Sequence, residues 1–216
     1  MGYARSLTAT TPGPRQVDAT KAERLIADGT VRLLDVRTPD GVAGPSRWLL
    51  ENADLLDGGQ ALDVACGRGR HALLLAAAGW QVRAVDRDAA AVEELRGVAQ
   101  RLDLASTLAL DVLDLEAGNV DLGDAVCDLV VVTRYLHRPL FPALRRVLRP
   151  GGILLYETFT TAKAERGHPK NPAFLLEPGE LQQLVAPLTV VRADEGERDG
   201  QMVSAVAARK PTAESA

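Results

Sequence analysis

Residues 62–88 read LDVACGRGRHALLLAAAGWQVRAVDRD, and the order of residue types in that stretch decides the fold. The apolar ALDVA (61–65) ends a strand and CGRGR (66–70) makes a tight turn. HALLLAAA (71–78) makes a helix stopped by Gly79, and QVRAVD (81–86) makes a second strand whose last residue is acidic. A ligand above the turn would meet glycine main chain and a helix N-terminus, and Gly67 and Gly69 carry no side chain to hold it off. The turn alone does not choose the ligand. Gly67, Gly69 and Ala72 also satisfy the loose dinucleotide pattern G-x-G-x-x-A, with Asp86 about 20 residues further on.

Outward from this stretch the same alternation continues. Strands are expected at 60–65, 81–86, 107–112, 128–133 and 153–158, each rich in branched or apolar residues. Helices are expected at 70–78, at 88–101 with Asp88 as N-cap, and at 140–148, closed by RPGG (149–152). Such alternation implies a parallel sheet covered by helices on both faces. After EPGELQQLV (177–185), where Pro178 suits a first helical turn, come LTVVRA (188–193) and QMVSAVAAR (201–209), joined by a charged link. That pair reads as an antiparallel hairpin closing the sheet. The expected fold is therefore α/β: a Rossmann-like, doubly wound sheet of seven strands with the last strand antiparallel.

The 216 residues, 46% hydrophobic and 25% charged, suffice for one sizeable core. A formal net charge of -4 gives no bulk attraction to nucleic acid or to an anionic membrane. With no signal-like apolar start and no long apolar run, the chain reads as cytoplasmic and unattached to a membrane. Cys66 and Cys127 lie far apart with no CxxC spacing, so neither a disulfide framework nor a metal site is expected. Residues 1–44 read as an arm with a short helix and a strand, 45–210 as the main domain and 211–216 as a tail. Within the arm, VDATKAERLIADGTVRLLDVRTPDG (17–41) resembles the opening of a rhodanese domain, stopping short of any active-site cysteine loop. In PSRWLLENADLL (45–56), Ser46 can cap a helix that turns Leu49 and Leu50 inward, with Trp48 either in the core or over the ligand site.

Asp63 stands at a strand end just ahead of the glycines. A carboxylate there sits badly beside a pyrophosphate and well beside a cation. S-adenosylmethionine is such a ligand, with a sulfonium, an ammonium and no phosphate. At DVACGRGR (63–70) the chain resembles the class I S-adenosylmethionine-dependent methyltransferases, with Ala65 in place of the commonest first glycine. The resemblance continues through Asp86 at the end of the second strand, through LDLE (113–116), and through CDLVVVTRYLHRPLFPALRRVLRPGGILLYETF (127–159). It implies that Asp63 lies near the methionine part of the cofactor and that Ala65, Gly67 and Gly69 form the floor. It further implies that Asp86 and Arg87 meet the ribose, and Asp114 and Leu115 the adenine.

The acceptor in this fold meets the carboxyl end of the fourth strand, here Thr133, Arg134, Tyr135, Leu136, His137 and Arg138. Tyr135, His137 and Arg138 are the catalytic candidates, with His137 able to act as a base near neutral pH. TRYLHRPLF (133–141), YETF (156–159) and RGHPKNPAFLL (166–176) resemble a bacterial subgroup of small methyltransferases likened to tellurite-resistance methyltransferases. That implies a small-molecule acceptor, anionic or a soft chalcogen. Arg134, His137, Arg138, Arg166, His168 and Lys170 could then form a cationic mouth. No NPPY-type motif follows the fourth strand, which argues against nucleic-acid bases as acceptors. Two alternatives stay open: an NAD-dependent oxidoreductase, and a non-catalytic regulatory protein that binds S-adenosylmethionine.

Overall fold

The computed structural model describes residues 44–212. The rhodanese-like stretch and its helix and strand lie outside the described residues. Seven strands form one sheet in the order β3-β2-β1-β4-β5-β7-β6. They are β1 Gln60–Val64, β2 Gln81–Asp86, β3 Leu108–Val112, β4 Cys127–Thr133, β5 Leu148–Phe159, β6 Thr189–Arg198 and β7 Gln201–Arg209. The first five run parallel. β7 is antiparallel to both β5 and β6, between which it is inserted.

Period-two alternation along buried strands makes two cores, one on each face. Leu62, Val64, Val130, Val132, Leu154 and Tyr156 pack against helix α4 (Phe141–Val147) and helix α5 (Glu180–Leu184). Their neighbours Ala61, Leu129, Val131, Ile153 and Leu155 face the other way, onto α1 (Arg47–Glu51), α2 (Arg70–Ala77) and α3 (Ala89–Arg101). The doubly wound fold is therefore the one the sequence implies. Asp88 caps α3 as expected, accepting from the amides of Ala90 and Ala91 at 3.0 and 3.1 Å.

Three local expectations are corrected. RPGG follows the end of α4 but lies inside β5, as an irregularity where the register jumps from Cys127↔Leu148 to Leu129↔Ile153. Gly152 makes the jump possible: a Cβ there would stand 3.0 Å from the Arg149 carbonyl and 3.1 Å from that of Cys127. Helix α5 begins after Gly179 (φ 72°), so Pro178 precedes the helix instead of opening it. Ser46 does cap α1, accepting from the Trp48 amide at 3.0 Å. However, five residues are too few to turn a whole apolar run inward, so Trp48 and Leu49 are buried and Leu50 is exposed. Trp48 belongs to the core and donates its indole N–H to the Val206 carbonyl at 3.0 Å, so it does not cover the site.

Among the described residues no helix is long and apolar enough to cross a membrane.

Candidate active site

The β1–α2 turn runs through left-handed backbone at Ala65 (φ 54°), Gly67 (φ 53°) and Gly69 (φ 76°). Gly69 is crowded as well as left-handed, since a Cβ would fall 2.4 Å from both Leu95 methyls and force that side chain to shift. Ala65 accepts the same torsion with a methyl group, at a cost of about 1–2 kcal/mol. Asp63 is buried beneath the turn, where one oxygen accepts the Ala72 amide in the first turn of α2 at 3.0 Å. Burial pushes its pKa up to about 7, opposed by that amide hydrogen bond. The helix N-terminus thus already holds a carboxyl group, which removes the anion site that a pyrophosphate would use.

His71 lies beside Asp63, equally buried. Its Nε2 accepts the Ser46 amide at 3.0 Å. The ring is therefore the neutral Nδ1–H tautomer, with Nδ1 3.3 Å from the Thr133 hydroxyl and 4.0 Å from Asp63. Burial, then the charges of Arg70 and Arg134, push its pKa down to about 3. The chain continues outward from this pair: the Ser46 hydroxyl donates to Glu157 at 3.0 Å.

A cavity of about 370 Å³ opens over the carboxyl ends of β1 to β5. Asp86, Arg87, Asp114, Leu115 and Glu116 line it over β2 and β3, Ala65 lies at the middle, and Arg134, Tyr135, Leu136, Phe159, Pro169 and Phe174 line it over β4 and β5. Asp86 is held by two main-chain amides, Gly67 to Oδ2 at 2.7 Å and Asp88 to Oδ1 at 2.9 Å. A carboxylate has about four acceptor sites, so two remain for a ligand. Asp114 accepts the Glu116 amide at 2.9 Å, and Arg87 stands 3.6 Å from Glu116. The Tyr135 hydroxyl has no hydrogen-bond partner among the described residues. Burial, with nearby acidic charge, pushes it up to about 12, so it stays protonated at neutral pH.

The structure therefore gathers Ala65, Asp86, Arg87, Asp114, Leu115 and Tyr135 at one cavity, with Gly67 tied to it through Asp86. Asp63 and Gly69 shape the turn from behind. Two catalytic candidates do not line this cavity. His137 borders a smaller depression that adjoins it through Leu115. Arg138 is fully occupied elsewhere: its Nε and Nη2 donate to both oxygens of Glu180 at 2.6 and 2.9 Å, and its Nη groups to the carbonyls of Ala173 and Leu175 at 3.1 and 2.9 Å. It ties the segment carrying Phe174 to α5. Arg138→Ala should cost about 1–2 kcal/mol of stability in urea unfolding while leaving cofactor affinity within about twofold. Of the expected cationic mouth, Arg166 pairs with Glu197 at 2.5 Å, His168 and Lys170 are exposed, and only Arg134 reaches the cavity.

Sequence reasoning gave no role to His71 or Glu116, or to the cavity residues Phe159 and Phe174, whereas Pro169 belongs to the HPKNP loop (168–172) expected to contact substrate. A histidine opening an otherwise apolar helix directly after the glycine turn is the one signal that could have found His71. Cys66 is buried, and burial pushes its thiol well up, in keeping with a packing role.

Residues 61–152 match the family described as methyltransferase domain. A curated relative, Hemagglutinin 1 of Eikenella corrodens, is 30% identical over 142 residues, which are 63% of this chain and 46% of the relative. The chain thus spans just under half the length of that relative. Among solved structures, TehB from Haemophilus influenzae superposes with a TM-score of 0.64 at 18% identity, over 77% of this chain and 62% of TehB. Geranyl diphosphate C-methyltransferase from Streptomyces coelicolor A3(2), solved with S-adenosyl-L-homocysteine, gives 0.60 at 17% identity, over 76% of this chain and 75% of that enzyme.

Proposed function

We propose that the chain is a class I S-adenosylmethionine-dependent methyltransferase, a reading supported by the methyltransferase-domain match over residues 61–152 and by the fold, and that it moves the cofactor's methyl group onto a small-molecule acceptor that is anionic or a soft chalcogen. The observation that carries the reading is Asp86, clamped by two amides with its remaining lone pairs at the cavity. Vicinal hydroxyls of a ribose suit such a carboxylate, with Arg87 beside it. Asp114 and Leu115 would bracket the adenine, one by hydrogen bonding and one by contact. Asp63 leaves the turn hospitable to a cation and inhospitable to a diphosphate, which disfavours a nicotinamide dinucleotide.

The cofactor supplies a methyl carbon already bonded to an excellent leaving group, so the protein's work is alignment and exclusion of water. The apolar roof of Phe159, Pro169 and Phe174 serves the second task. No histidine among the described residues lines the cavity, and Tyr135 keeps its proton at neutral pH. An acceptor that arrives already deprotonated suits that arrangement, with Tyr135 donating a hydrogen bond to it.

Calorimetric titration with S-adenosylmethionine, beside NAD as the comparison, tests the cofactor. Saturable micromolar binding of S-adenosylmethionine without NAD binding is expected. The opposite pattern would overturn the reading.

A further inference from the structure

We propose that Arg134, with the apolar wall beside it, is an acceptor subsite for a small carboxylic acid with an apolar body. The proposal rests on the methyltransferase reading and narrows its acceptor. Arg134 ends β4 in left-handed backbone (φ 56°), fixed by its amide donating to the Glu157 carbonyl at 2.8 Å. A non-glycine residue kept in that torsion costs about 1–2 kcal/mol, and such strain gathers at sites of function. Here it delivers the side chain to the cavity.

The guanidinium has no hydrogen bond or ion pair with another described residue. Its neighbours at the cavity and beyond are different: Arg87 faces Glu116, Arg138 grips Glu180, and Arg198 is held by Glu51 and Asp194. Arg70 and the buried carboxyl of Glu157 are both within electrostatic reach of Arg134. Arg70 is half-buried, gives one N–H to the Gly44 carbonyl at 3.0 Å, and lies close enough for the charge of Arg134 to lower its pKa after burial has done so. An anion at the cavity would add a hydrogen-bonding partner to the Arg134 guanidinium, which Glu157 reaches only through space.

The position of this charge within the cavity decides which part of the reaction it serves. Asp86, Asp114 and Glu116 lie over β2 and β3, and Arg134 lies across β1 from them, over β4 and β5. The negative end suits a nucleoside's hydroxyls and amine, and the positive end suits an anion. The chemistry of the walls then selects among anions. Around Arg134 stand Tyr135, Leu136, Phe159, Pro169 and Phe174. A bare oxyanion such as selenite or tellurite would gain one fork of donors but carry no apolar body to cover the aromatic wall, and would lose part of its hydration against it. A planar carboxylate fills a guanidinium fork with two parallel hydrogen bonds, and an apolar body attached to it covers the aromatic wall. Phe174, a large aromatic left 47% exposed at the rim, is the surface such a body would bury.

The test titrates S-adenosylhomocysteine into wild type, R134Q and R134K, and then titrates probes into each protein saturated with it. The probes are 3-hydroxybenzoate and 4-methylpentanoate, the uncharged amide of each, and selenite. At least one acid should bind wild type at least about tenfold more tightly than its own amide and than selenite. That preference should disappear in R134Q and return in part in R134K, while S-adenosylhomocysteine affinity stays within about threefold in all three proteins. Equal binding of acid and amide, tighter binding of selenite, no binding of either acid, or an acid preference unchanged in R134Q would each overturn the proposal. A tenfold loss of S-adenosylhomocysteine affinity in R134Q would overturn it too, by assigning Arg134 to the cofactor's own carboxylate. Failure of S-adenosylhomocysteine to bind wild type would remove the methyltransferase reading on which the proposal stands, and the first titration alone identifies that case.

Discussion

Alanine at position 86 should weaken S-adenosylmethionine binding by about 1.5–3 kcal/mol, the scale of hydrogen bonds to a charged group, or roughly 10- to 150-fold in affinity. The expected loss has two sources. The carboxylate's unused acceptor sites face the cavity, so the ligand loses its hydrogen bonds directly. The same carboxylate ties the Gly67 amide to the start of α3 through the Asp88 amide, so the glycine turn also loses a fixed point. Asp86→Asn separates the two, because a single carbonyl oxygen can still accept one of the amides. Its affinity should fall between those of wild type and the alanine variant. Calorimetry measures all three, and an alanine variant that binds as well as wild type would refute the assignment of Asp86 to the cofactor.

The second large effect concerns stability. His71 titrates near 6.5 when exposed and near 3 in the folded chain, so its contribution is full above about pH 6.5 and is lost as the pH falls toward 3. Asp63 is the reverse. Its ordinary value of 3.8 rises to about 7 on folding, so its contribution is full below 3.8 and erodes as the pH rises toward 7. Between pH 4 and 6.5 the folded chain keeps a proton on Asp63 and the unfolded chain keeps one on His71. The two slopes cancel, and the pair leaves wild-type stability nearly flat. Removing either partner exposes the other. Asp63→Asn should gain stability with rising pH, and His71→Asn should lose it, each with a limiting slope of about 1.4 kcal/mol per pH unit. Across pH 4.5 to 6.5 the two variants should therefore change by about 2 kcal/mol in opposite directions. Urea unfolding at three pH values reads this out, and parallel profiles for both variants would sink the compensation.

Where sequence and structure agree, the governing physics is local. The periodicity of QVRAVD placed β2 at its observed bounds, and the short acidic side chain of Asp88 before AAAVEEL marked the start of α3. The glycine turn was legible because left-handed torsions favour glycine, which stands at two of its three such positions. Asp86 ends β2, and Asp114 and Tyr135 lie two residues past β3 and β4, so their placement at the cavity was legible locally. Arg138 was not, because its role is decided by Glu180, a residue 42 positions away that nothing in the local pattern announces. His71 was hidden by partners equally remote, Ser46 and Thr133. Phe174 and Pro169 come to the cavity only because that same distant clamp and the end of β5 place their segment over it. The RPGG turn was misread as a simple helix stop because its consequence, a register jump against β4, is a property of two strands at once.

The insertion of β7 between β5 and β6 also governs how the molecule can be made. On the ribosome β1 to β5 emerge in an order that lets each find its neighbour or wait only one helix for it. β6 emerges next and has no place to dock, since its sole partner is the strand that follows it. Until β7 leaves the exit tunnel, the hydrogen-bonding edge of β5 stays bare, and an unpaired edge of this kind recruits foreign strands. The vulnerable interval in making this fold is thus the one between the emergence of β5 and that of β7, and stalled or clipped products lacking β7 are the species most prone to aggregate.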